Sequence, residues 1–77
     1  MNTKEESDFM SSIKLYKVML KPFPDILNVI QLSQILNVSV KTTYKILQEN
    51  KIDSIRIGRA YKIPKVNVIQ YLLKLEK

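Results

Sequence analysis

Two short stretches of helical period, each opened by its own capping residue and only three residues apart, constrain this chain more than any other feature. Asn28 followed three residues later by Gln31 has the spacing of a capping box, and Leu27 with Leu32 brackets it as a hydrophobic staple. Val29, Leu32, Ile35 and Leu36 then mark one buried stripe, which predicts a helix ending near Leu36. In Asn37-Val38-Ser39, the asparagine tolerates the left-handed conformation and the serine is suited to cap a second helix. On that second helix Thr43, Ile46 and Leu47 share one side, and Lys41, Tyr44, Lys45 and Gln48 the other. Asn50 supplies a second left-handed stop.

The flanks follow different rules. Upstream, Phe9, Ile13, Tyr16 and Leu20 recur at helical spacing, with Glu5, Glu6 and Asp8 ahead of them and Lys14, Lys17 and Lys21 near the end, as a helix dipole favours. This predicts an amphipathic helix over residues 8–20. Each proline in Lys21-Pro22-Phe23-Pro24-Asp25 bars its predecessor from helical geometry, so the chain divides there. Downstream, residues 54–63 switch to a strand period: Ile55 and Ile57 alternate with Arg56, and Tyr61 and Ile63 with Lys62. A three-residue loop, Gly58-Arg59-Ala60, would pair Ile57 with Tyr61 and Ile55 with Ile63, leaving Arg56 and Lys62 outside. A two-residue loop would mix the faces, so the longer loop is expected. Pro64 then opens a last helix whose Val68, Ile69, Leu72 and Leu73 face the core. The expected fold is mainly α with a small β-hairpin (α+β), a winged helix-turn-helix with an extra N-terminal helix. Its parts are a 1–21 extension, a 22–25 linker and a 26–77 core domain.

With 77 residues there is room for one core only. No cysteine or histidine is present, which excludes disulfides, Cys–His or Ser–His–Asp catalysis and the common zinc sites. The seven carboxylates form no glycosidase pair or calcium loop, and one glycine cannot make a phosphate-cradling loop. No enzyme, metal or cofactor is expected. No apolar run approaches a membrane span, and a cytoplasmic location is expected.

A net charge of +6 calls for a polyanionic partner, and its placement suggests which. In a winged helix-turn-helix the second helix is narrow enough to enter the major groove of duplex DNA. Ser39, Lys41, Thr42, Tyr44, Lys45 and Gln48 are the candidate contacts on helix 39–49. Arg56, Arg59, Lys62 and Lys65 are the candidates in or beside wing 54–63, a stretch with no acidic residue. Taken singly, these lysines also suit an ordinary solvated face, Tyr44 also suits partial packing, and edge strands carry basic residues to discourage edge pairing.

The run Leu27-Asn28-Val29 through Leu36-Asn37-Val38-Ser39, then Thr42-Thr43-Tyr44-Lys45-Ile46-Leu47, resembles small excisionase-type helix-turn-helix proteins, relatives of the DNA-binding domains of MerR-type regulators. Ile55-Arg56-Ile57-Gly58-Arg59-Ala60-Tyr61-Lys62-Ile63-Pro64, followed by a helix containing Tyr71-Leu72, carries the most specific part of that resemblance. It spans about Ile26 to Leu73 and departs in Asn37 and Asn50, where the family usually has glycine. It implies a winged-helix fold on double-stranded DNA, in a recombination directionality factor partnering an integrase or in a transcription regulator. It also implies cooperative or dimeric binding. Phe9, Ile13, Tyr16 and Leu20 are candidates for such self-association, the alternative being that this face docks on the winged core. The competing functional readings are an adaptor docking on an integrase or polymerase, and an RNA-binding accessory protein. The latter is disfavoured because the aromatic residues mostly fall at core positions.

Overall fold

A computed structural model describes residues Thr3–Glu76, with side chains from Ser11 onward. The elements run α1 (Thr3–Met19), β1 (Ile26–Leu27), α2 (Val29–Leu36), α3 (Val40–Gln48), β2 (Ile55–Ile57), β3 (Ala60–Pro64) and α4 (Lys65–Leu75). The strands form an antiparallel sheet in the order β1-β3-β2.

The capping signals act as their chemistry requires. Asn28 Oδ1 accepts from the Gln31 amide at 2.8 Å, and the Asn28 amide donates to Gln31 Oε1 at 2.9 Å, closing the capping box on α2. Asn37 ends α2 at φ 55°, and Val38 N–H donates to the Ser33 carbonyl. Two residues later Ser39 Oγ accepts from the Thr42 amide at 3.1 Å and starts α3. Asn50 takes φ 56° beyond the end of α3. The resulting unit packs inward through Leu32, Leu47 and Thr43, all buried. Thr43 is tolerated there because its hydroxyl donates to the Ser39 carbonyl at 2.9 Å.

The core unites this unit with the flanks through Leu20, Leu27, Val29, Ile52, Ile63, Val68 and Ile69. The N-terminal helix starts at Thr3, five residues ahead of the position expected from apolar spacing, and stops at Met19 before the two prolines. Leu20 lies in the core, Tyr16 packs against it, and Ile13 is half-buried. The Phe9 side chain lies outside the described residues. Tyr16 also donates its hydroxyl to Glu76 Oε1 at 2.7 Å, just beyond α4. Of the two destinations open to this face, Tyr16 and Leu20 take the second. Leu20 is buried in the chain's own core, and Tyr16 is half-buried against it.

Three further expectations are corrected. The wing turns through two residues, Gly58-Arg59, pairing Ile57 with Ala60, Arg56 with Tyr61, and Ile55 with Lys62. Gly58 adopts φ +61°, which suits the first position of a two-residue II′-type turn; that geometry matches the strand twist, so it outweighs matching isoleucine to isoleucine. Partners across an antiparallel pair share a face, so Arg56 lies with Tyr61, Ile63 and Leu27 on the inner side. Ile55 and Ile57 point outward with Ala60 and Lys62, and both isoleucines are exposed. Second, the hairpin gains a partner: Ile26 and Leu27 pair with Pro64 and Ile63, an edge too short to register as a strand pattern. Third, Pro64 closes β3 and caps α4 with extended geometry (φ −61°, ψ 130°) instead of entering its first turn.

Candidate nucleic-acid interface

The amphipathic split of α3 sets its outward chemistry. With Thr43 and Leu47 buried, Lys41, Thr42, Tyr44, Lys45 and Gln48 are all exposed, and with Val40 they line one open groove along the helix. Ser39 stands at the head of this face. Its hydroxyl accepts from the Thr42 amide and donates to Thr42 Oγ1 at 3.0 Å, so it serves first as a cap and orients Thr42.

Tyr44 carries the surface onward to the wing. It lines a second groove with Asn28, Ile30, Arg59, Tyr61 and Lys62, bounded by the start of α2 on one side and the wing on the other. On its far side Tyr61 borders a third groove, shared with Gln48, Asn50, Ser54 and Arg56. Eight of the ten side chains singled out in the sequence thus line three adjoining grooves: Lys41, Thr42, Tyr44, Lys45, Gln48, Arg56, Arg59 and Lys62. None of the groove-lining residues is acidic. The nearest carboxylate in sequence to α3, Glu49, is paired with Lys51 at 3.2 Å. Arg56 and Lys62, expected side by side on the outer face, occupy opposite faces of the wing.

Lys65, also expected on this surface, lines none of the three grooves. Its ammonium donates to the carbonyls of Phe23 at 2.9 Å and Leu20 at 3.2 Å, and lies 3.8 Å from Asp25 Oδ1. Its side chain is 17 % exposed. The Leu20 carbonyl also accepts from the Phe23 amide at 2.9 Å, so the ammonium adds a second bond there and a side-chain partner for the Phe23 carbonyl; Lys65 is a fastener between α4 and the α1–β1 connection. Tyr61 is the opposite case, a residue read from sequence as core that also joins two grooves. Its alternation with Ile63 signalled the inward face but not what shares that face.

Two short helices at a tight turn, followed by a hairpin and a closing helix, define the winged helix-turn-helix class of fold. The chain belongs to a helix-turn-helix domain family of DNA-binding domains, whose model matches residues 26–75. That span begins at the first residue of β1 and ends at the last of α4, so α1 lies outside it. No curated protein and no solved structure matches the chain. No helix among the described residues is long and apolar enough to cross a membrane.

Proposed function

We infer that this chain is a sequence-specific, non-enzymatic duplex-DNA-binding protein that works as an excisionase-type directionality factor or a transcription regulator. In this reading α3 enters the major groove, and the wing grips the flanking backbone or minor groove. The observation that carries it is the continuous acid-free surface running from Lys41 and Lys45 through Tyr44 to Arg59 and Lys62. Lysines one turn apart on α3 reach guanine edges or phosphates, Thr42 suits a phosphate or a thymine methyl, and Gln48 suits an adenine. Arg59 at a tip with open space around Gly58 is free to approach a backbone or a narrow minor groove. A domain this small makes few base contacts, so useful specificity calls for two or more copies on adjacent sites.

The test is site selection from randomised duplexes, followed by titration and footprinting of wild type, Lys45→Ala and Arg59→Ala. Lys45→Ala is expected to cost about 1–3 kcal/mol on the selected site and to relax its consensus. Arg59→Ala is expected to weaken all duplexes alike. Selected sites arranged as direct repeats, with bending on binding, favour the excisionase role over the regulator. Equal binding by all three proteins would falsify the assignment.

A further inference from the structure

Tyr61 stands where three elements meet. Its ring centroid lies 6.0 Å from that of Tyr44 on α3, with the planes inclined by 60°, a tilted arrangement that aromatic pairs favour. From β2, the guanidinium carbon of Arg56 lies 5.1 Å from the same centroid, within cation–π range. The Tyr61 backbone pairs with Arg56 across the wing, so the side-chain contact reinforces the strand register. Tyr61 itself is half-buried, whereas Tyr44 and Arg56 on either side of it are exposed. The ring therefore forms the wall shared by the groove that holds Arg59 and the groove that holds Gln48.

β1 pairs only with Ile63 and Pro64 at the base of β3, so from Ile55 to Lys62 the wing is a two-stranded ribbon, which has little stability of its own. Here the lateral contact lies one residue from the turn, since Tyr61 follows Ala60 and the Gly58-Arg59 tip. We propose that Tyr61 is the positioning residue that locks the wing to α3, so that Arg59 and that helix meet a duplex at a fixed separation. The inference rests on the DNA-binding reading above. It predicts energetic coupling between Tyr61 and the wing tip. Without the ring, α3 still enters its groove, but the wing must be ordered at the moment of binding, and Arg59 contributes less.

The experiment is a double-mutant cycle on the selected duplex, with thermal unfolding of every variant. Arg59→Ala is expected to weaken binding about ten-fold in the wild-type background but less than about two-fold beside Tyr61→Leu. Lys45→Ala is expected to cost the same factor in both backgrounds. Tyr61→Phe keeps the ring that both contacts use, and is expected to bind within about two-fold of wild type. Amide residual dipolar couplings of α3 and the wing should fit one common orientation in the wild type and fail to do so in Tyr61→Leu. If Tyr61→Leu does not fold, Tyr61→Met keeps the apolar bulk and takes its place in both measurements. Equal Arg59→Ala factors in both backgrounds, with wild type binding well, overturn this inference and leave the DNA-binding reading standing. A wild-type chain that binds no duplex overturns both.

Discussion

Lys65 sits at the first position of α4 with most of its side chain out of solvent, and its ammonium answers two carbonyls where α1 gives way to the linker. The Phe23 and Leu20 oxygens lie too far along the chain for any local pattern to announce them; in sequence the residue is simply another base after a basic wing. Replacing it with methionine keeps the apolar stem and removes the donors. The Leu20 carbonyl keeps its bond from the Phe23 amide, so the loss falls mainly on the part-buried Phe23 carbonyl, and Lys65→Met should lower unfolding free energy by about 1 kcal/mol in a urea titration. Duplex affinity of the folded variant should stay within about two-fold of wild type, since the ammonium is engaged by the Leu20 and Phe23 carbonyls and lines none of the grooves. A loss of affinity with unchanged stability would reverse the assignment. Asn37 and Asn50 show the complementary case, where the residue was readable in advance. Both hold positive φ, and asparagine is the residue after glycine that accepts it at least cost.

Among the elements, the helix-turn-helix unit was legible because its determinants are local. A cap bonds a backbone amide three residues on, and both partners are visible in one short window. The hairpin was legible as a hairpin but not in its register. Alternation of isoleucine with charge fits either loop length, and the deciding term is turn geometry at Gly58, which no side-chain pattern carries. β1 escaped because two residues have no period. The seat of α1 on α4 was one of two options, and its pairing with Glu76 makes it testable. The hydrogen bond to Glu76, then burial and the charge of that carboxylate, hold the Tyr16 phenol above its ordinary value of 10.0. A proton held more tightly in the folded state stabilises it fully below the unfolded pKa, and that contribution is lost as pH rises through the folded pKa. The thermal midpoint of wild type should therefore fall toward that of Tyr16→Phe above about pH 10, a modest effect because the pair is solvent-exposed. Parallel pH profiles for the two proteins would show that the bond does not tie the helices.

At the scale of the whole molecule, the basic side chains that line the three grooves are Lys41, Lys45, Arg56, Arg59 and Lys62, and these make up the electrostatic footprint in the proposed DNA-binding reading. If each neutralises one phosphate, log affinity should fall against log salt with a slope of about −4.5 per bound copy. Arg59→Ala should reduce that slope by about 1. A slope near zero in a salt titration would point instead to a complex held by apolar contacts.

The short turn at Gly58 also leaves Ile55 and Ile57 facing water on an edge strand, a few ångströms of backbone away from the cations of the wing. Sticky edges of this kind are kept apart in solution by like charge, and this chain carries a net +6. Salt that strips the chain from a polyanion also screens the repulsion between free copies. If the same charges hold a duplex, light scattering from the DNA-free protein should rise over the range of salt concentration that releases it.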